Sequence, residues 1–377
     1  MPWTDRLLGD PVPWLLEPAD PAVRAAALQR LLDRPADDPE VVDARQAAMR
    51  SGPIAAVLSA QGPAGWWVKP GPGYAPKYTG TVWSLMFLDQ LGADPRDPRV
   101  QRACDYVLRM CPTSSGGLGA SGSHLEVAPP PSSAIHCLHG NLLRALIGFG
   151  HLADEAVQGA VCWAARAITG VDPPRWYATG TGPRFACGGN DQQPCAWGAI
   201  KELRALVRIP AEQRSAQVQA AIDTCVDLLL SRDPVDADYP MGWGNTKPSR
   251  SWFKLGFPSG YVSDVLQTVE ALGEAGHGGD PRLDNALAWV CAQQAADGRW
   301  RNQYAYHGKT WGSIEQQGKA SKWVTLRACT VLRAADAATG PRPRATTPAT
   351  TGTRAPGQGA APGRHGAPGT YSSGSSR

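Results

Sequence analysis

A helix-start signature recurs along this 377-residue chain at a nearly constant interval, and that recurrence restricts the fold more than any other feature. Asp38-Pro39-Glu40-Val41 is followed by Asp97-Pro98-Arg99-Val100. Weaker versions stand at Asp154-Glu155-Ala156-Val157 and Ser215-Ala216-Gln217-Val218, and Asp280-Pro281-Arg282-Leu283 restores the pattern. The steps are 59, 57, 61 and 65 residues. An Asp or Ser side chain caps the free backbone N–H groups of a helix N-terminus, and Pro fits the first turn, where no N–H is needed. A second anchor keeps step with the first. Thr81-Val82-Trp83, Cys137-Leu138-His139, Cys195-Ala196-Trp197, Tyr261-Val262-Ser263 and Ser321-Lys322-Trp323 are spaced by 56, 58, 66 and 60 residues. Each opens an apolar segment, and 142–149 and 200–207 carry the i, i+3, i+4 pattern of a buried helical stripe.

Each unit is therefore one inner helix, a short turn and one outer helix. The sustained alternation that marks strands is absent, so the fold class is all-α. Units of about 60 residues with long loops suit a two-layer ring of helices better than an open solenoid. Taking 23–32 as the first inner helix and 323–332 as the last gives six inner helices. The expected architecture is an α/α toroid of about five to six helical hairpins.

Composition sets the boundaries. Forty-two per cent of residues are hydrophobic, enough for a large core, and they thin out after Ala338. The chain is thus expected to divide into a toroid domain, 1–339, and a basic Pro/Gly/Thr/Ser-rich tail, 340–377, whose composition points to disorder. The tail holds five arginines and no acidic residue against a net charge of +4, which leaves the body nearly neutral and without an electrostatic footprint for nucleic acid. The first ten residues show no export signal, and no apolar run reaches the length of a membrane span. With nine scattered cysteines, the expectation is a cytoplasmic protein with reduced thiols.

Gln61-Gly62-Pro63-Ala64-Gly65-Trp66-Trp67 and Gln294-Ala295-Ala296-Asp297-Gly298-Arg299-Trp300 both fit Q-x3-G-x-W, each after an outer helix. In this the chain resembles stand-alone α/α toroids of the squalene–hopene cyclase and prenyltransferase superfamily, over roughly residues 20–335. The resemblance implies that Gln and Trp tie the end of one outer helix to the next repeat, which makes Trp67 and Trp300 clamps rather than catalytic groups. It also implies an apolar, isoprenoid substrate held in the toroid cavity.

Candidate site residues follow from repeat position. Trp83, His139, Trp197 and Trp323 occupy equivalent places at inner-helix starts. They can line one mouth of the cavity, where ring faces suit an apolar ligand or a carbocation, or they can be core. Tyr261 and Lys322 lie on the same rim. Cys137 and Cys195 share a repeat position, Cys187 lies eight residues before Cys195, and His139 follows Cys137; three thiols and an imidazole make a candidate Zn2+ set or a group of small buried thiols. Zinc-binding toroids, the lanthionine-synthetase-like proteins and the protein prenyltransferases, place metal at a similar end of the barrel.

Asp236 and Asp238 resemble part of the D-x-D-D acid of class II terpene cyclases but lack its final Asp. A general acid must be kept protonated by burial, whereas a loop Asp beside Pro234 and Pro240 is also a natural solvated turn. Asp264, on the fifth inner helix, is a third candidate acid and equally a partner of the helix dipole. His307-Gly308-Lys309-Thr310 fails as a phosphate loop because Gln303 stands where glycine is required, so no nucleotide is expected. Two functions stand at this level: a terpenoid-cyclase or prenyltransferase-like enzyme acting on an isoprenoid, or a non-catalytic toroid that binds a lipid or a protein.

Overall fold

The recurring caps form as the sequence predicts. In the computed structural model, which describes residues 2–121, 127–175 and 180–339, the carboxylates of Asp38, Asp97 and Asp154 accept from the backbone N–H two residues on. Ser215 accepts from Val218 in the same role. Asp280 caps a short 3-10 turn that leads into its helix. Among the described residues thirteen α-helices follow one another: α1 (Val12–Leu15), α2 (Pro21–Leu32), α3 (Pro39–Arg50), α4 (Gly52–Ser59), α5 (Thr81–Leu91), α6 (Pro98–Met110), α7 (His136–Gly148), α8 (Glu155–Thr169), α9 (Ala196–Leu206), α10 (Ala216–Leu230), α11 (Val265–Glu274), α12 (Asp284–Ala292) and α13 (Lys322–Thr339). Among the described residues there is no β-strand, only isolated bridges such as Ala186 with Pro194.

Helices α2, α5, α7, α9, α11 and α13 form the inner layer. Neighbours pack in chain order from α5 to α13, α13 closes on α2, and α4 links the first hairpin to α5. The outer helices α3, α6, α8, α10 and α12 each lie on the inner helix that precedes them. This is the α/α toroid that the repeat predicts, with two differences. The first outer element is split into α3 and α4, because Gly52 takes a left-handed φ of 63° and the following Pro53 cannot continue a helical ladder. The fifth inner helix begins at Val265, four residues after Tyr261, with Asp264 as its N-cap. The expected separate tail, 340–377, lies outside the described residues. No helix among the described residues is long and apolar enough to cross a membrane.

Two side-chain systems hold the units in register. Trp67 and Trp300 are fully buried and bonded alike. Each indole N–H donates to a carbonyl near the end of the preceding outer helix (Val57 at 2.7 Å, Val290 at 2.8 Å), and each backbone N–H donates to a threonine hydroxyl on the next inner helix (Thr81, Thr325). Gln61 donates to the Arg99 carbonyl at the start of α6, and Gln294 donates to the Arg6 carbonyl, joining the last unit to the N-terminal segment. In the fourth unit Tyr239 takes over the indole's task through an O–H donated to Leu229.

The second system fills the C-terminal half of the inner barrel. Asp89 (α5) pairs with Arg144 (α7) and with Arg208, which follows α9. Arg204 (α9) pairs with Glu274 and Glu270 (α11), and Glu270 in turn takes two bonds from Arg327 (α13) at 2.7 and 2.9 Å. Burial raises the Glu270 carboxyl, but the charges of Arg327 and Arg204 outweigh it and bring the pKa down to about 2. These ion pairs tie neighbouring inner helices together.

Candidate functional site

The loops that enter the inner helices are long and those that leave them are short, so the inner-helix N-termini carry the elaborated face. At this face, over the starts of α7 and α9, opens a cavity of about 750 Å³. Trp197, Trp252, Tyr239, Tyr261 and Met241 contribute apolar wall, and the exposed Trp243 stands at its edge. Cys137, Cys187 and Cys195 line the same space.

Local chain geometry explains the thiol group. Cys137 and Cys195 sit at the first turns of α7 and α9, which approach closely because two glycines face the partner helix. A Cβ on Gly140 would stand 2.5 Å from the Lys201 carbonyl carbon, and one on Gly198 would stand 2.9 Å from the His136 Cβ. Cys187 comes alongside through a short hairpin in which Cys195 N–H donates to Phe185 and Cys187 N–H donates to Gln193. The neighbouring Cys195 thiol, opposed by burial, draws the Cys187 thiol below its ordinary range, and the backbone of Gly189 and Asn190 adds to that. The Cys195 thiol moves the other way, raised by Cys187 and by burial, and burial pushes Cys137 up to about 12.

The remaining sequence candidates separate. His139 is not among the thiols: its Nδ1 bonds the Glu202 carboxylate at 3.0 Å, and His136 Nδ1 bonds the same carboxylate at 2.8 Å. Both rings are buried against Trp163, and neither Nε2 has a hydrogen-bond partner among the described residues. Glu202, raised by burial but drawn lower by His139 and His136, comes down to about 2. Residues 137 and 139 lie about 200° apart round a helix, which is why one meets the cavity and the other meets α9. The expected zinc set therefore does not assemble. The imidazole is elsewhere, and among the described residues no group of three or more His, Cys, Asp or Glu side chains is arranged to hold a metal ion.

Asp236 and Asp238 point to solvent on either side of Ala237 and Tyr239, which face the cavity. They lack the burial that a strong carboxylic acid needs. Asp264 is buried and its carboxyl is raised by burial, against the pull of Arg327, yet both oxygens are engaged. Oδ1 accepts from Gln267 N–H at 2.7 Å and Oδ2 from Gly256 N–H at 3.2 Å. Asp264 is a helix cap, not a cavity wall. Trp83 is buried in an aromatic group with Tyr74, Tyr78 and Tyr261, its indole donating to the Tyr74 carbonyl. Trp323 stacks on Phe257 with ring centres 4.6 Å apart and, with Lys322, lines a separate cavity of about 480 Å³ at the closing seam. Lys322 is paired there with Glu17 and Asp20. Of the expected rim residues, Trp197 and Tyr261 line the large cavity together with the thiols.

Sequence reasoning missed Tyr239, Met241, Trp243 and Trp252. The signal was present: the connection from α10 to α11 is the longest between an outer and an inner helix, and it carries three aromatics within 239–252.

No family model matches the chain, and no curated protein does. Solved structures with a similar course include the type II terpene cyclase MstE from Scytonema, at 15% identity and a TM-score of 0.42, covering 85% of this chain and 89% of that one. A GH76 α-mannanase of Bacteroides thetaiotaomicron gives 9% identity, a TM-score of 0.42 and coverage of 85% and 86%. A protein from Actinoplanes gives 17%, 0.39, and 85% and 90%. The two named enzymes differ in chemistry, and neither lends this chain an activity.

Proposed function

We propose that this protein binds an apolar small molecule of the isoprenoid class in the cavity at the mouth of its toroid and acts on it there. The supporting observation is the cavity itself. Its volume of about 750 Å³ falls within the range of small-molecule sites, and its wall is mostly aromatic and apolar with a few polar groups. Among the described residues Lys247 is the single cation on that wall, so the cavity favours a neutral hydrocarbon body over a polyanionic head. The resemblance of the Q-x3-G-x-W segments to those of isoprenoid-handling toroids points the same way.

A second reading, binding without turnover, is favoured by the acids. Cyclisation started by protonation needs a buried carboxylic acid in the cavity wall, and Asp236, Asp238 and Asp264 do not provide one. Thermal shift with farnesol, geranylgeraniol and farnesyl diphosphate tests the binding; product analysis by gas chromatography tests turnover. A ligand at a hundred times its Kd adds about 2.7 kcal/mol of apparent stability. Absence of any shift across the three compounds would refute the ligand class, and binding with no product would leave the second reading.

A further inference from the structure

Opposite the elaborated face, the inner helices end in more positive charge than negative. The ion pairs there run from helix to helix. Asp89 of α5 holds Arg144 of α7 and Arg208 beyond α9. Arg204 of α9 holds Glu274 and Glu270 of α11, and Glu270 holds Arg327 of α13. Arg30, near the end of α2, reaches the same group, where Glu270 and Glu274 attract it and Arg204 and Arg208 repel it. Among the described residues that sets five guanidinium groups against three carboxylates. Asp264 lies 4.0 Å from Arg327 but caps the other end of α11, where Lys201 answers its charge.

The hydrogen bonds show where the surplus lies. A guanidinium group carries five N–H donors. Arg144 and Arg208 each bond the Asp89 carboxylate through Nη1, and Arg30 has no ion pair among the described residues. The Arg144 Nε is buried with no hydrogen-bond partner among them. Arg208 is seated on Gly148, where a Cβ would overlap its Nη1. Arg30 and Glu274 are exposed and Arg208 is 27% exposed, so solvent reaches the group. Burial, and then Arg208 beside it, pulls Arg144 from its ordinary 12.5 down to about 9. A buried cation short of counter-charge is costly. The helix C-termini at this end favour cations, yet they supply no acceptor to the Arg144 Nε.

We propose that this end of the barrel binds a small phosphate-type oxyanion, held among Arg30, Arg144 and Arg208. A hydrogen phosphate dianion matches the surplus of two charges. Its oxygens match the forked donors of guanidinium groups, which a spherical chloride does not. The site lies apart from the apolar cavity and does not depend on a ligand there.

The full chain is titrated with inorganic phosphate at neutral pH and followed by isothermal titration calorimetry and by thermal shift. Chloride keeps the ionic strength constant, so that screening does not change along the titration. Phosphate should bind saturably and raise the melting temperature, as binding to the native state requires, where chloride does not. Arg30→Gln alters a position with no ion pair, so the variant should fold as the parent does. It should bind phosphate about tenfold more weakly, the loss expected for a hydrogen bond to a charged group. Arg208→Gln, compared at a temperature where it is folded, should weaken binding as well. Arg250→Gln removes an exposed cation on the opposite face and should leave binding unchanged. Glycerol 3-phosphate, titrated in parallel, separates the sources: tighter binding than inorganic phosphate assigns the site to a phosphate ester, weaker binding to the free ion. Equal effects of phosphate and chloride overturn the proposal. So does phosphate binding that Arg30→Gln and Arg208→Gln both leave intact, or that Arg250→Gln weakens as much as Arg30→Gln does.

Discussion

Glu270 is wedged between Arg204 and Arg327 among the inner helices, and it shows how much one charge can carry there. Removing it leaves two buried guanidinium groups short of a partner, so Glu270→Ala should cost about 3–5 kcal/mol in urea unfolding. The pH dependence has a definite sign. Glu270 and Glu202 each have a folded pKa of about 2, below the ordinary carboxylate value of 4.5. Their stabilising contribution is complete above that ordinary value and is lost as pH falls toward the folded one. Denaturant unfolding measured from neutral pH down to about pH 3 should show stability falling through this window. Glu270→Gln should be less stable at neutral pH and flatter in acid; an equally steep slope would remove Glu270 from the acid response. None of these charges was anticipated from the sequence. Arg144, Arg204, Glu270 and Arg327 interrupt otherwise apolar helices, a pattern that marks either solvent-facing positions or a buried network. Only the ring places them face to face.

At the scale of elements, the repeat was legible because its signals are local. A cap bonds a backbone N–H two or three residues away, so Asp38, Asp97, Asp154 and Ser215 announce their helices without reference to the rest of the chain. Equivalence between units was legible too: Cys137 and Cys195 meet at one cavity because α7 and α9 are neighbours in the ring. What repeat position could not supply was the rotation of each side chain about its helix, and this sends His139 to Glu202 and buries Trp83. Close approach was equally hidden. Gly140 reads as an ordinary helix glycine, yet the Lys201 backbone leaves no room for a Cβ, whereas nothing lies within 4 Å of a Cβ at Gly273 in α11. Gly140→Ala should therefore destabilise by about 1–3 kcal/mol through overpacking. Gly273→Ala should stabilise by up to about 1 kcal/mol through helix propensity. The pair of thermal melts checks this; a loss at both positions, or at neither, would contradict the packing at the α7–α9 crossing.

The molecule as a whole decides where a ligand can go. Closure by α13 on α2, with Lys322 bridging to Glu17 and Asp20, makes the seam part of the ring rather than an edge. Ion pairs fill space between the inner helices away from the elaborated face, and the aromatic group around Trp83 occupies ground that a rim-wide pocket would need. Access is left to separate cavities on the elaborated face, so two tryptophans from equivalent repeat positions should behave differently. Trp197 is half-buried on the large cavity; Trp323 is buried, stacked on Phe257, and belongs to the seam. Trp197→Ala should weaken farnesol binding about tenfold, equivalent to about 1.4 kcal/mol, with little change in the melt of the free protein. Trp323→Ala should lower the melt by the equivalent of about 3–5 kcal/mol, as for a large aromatic truncated in a core, and leave the affinity of the remaining folded protein unchanged. Isothermal titration at a temperature well below both melts separates the two effects. Equal losses of affinity would mean that the aromatics of the rim do share one pocket, as their sequence positions suggest. Loss of affinity in Trp323→Ala alone would move the ligand to the seam.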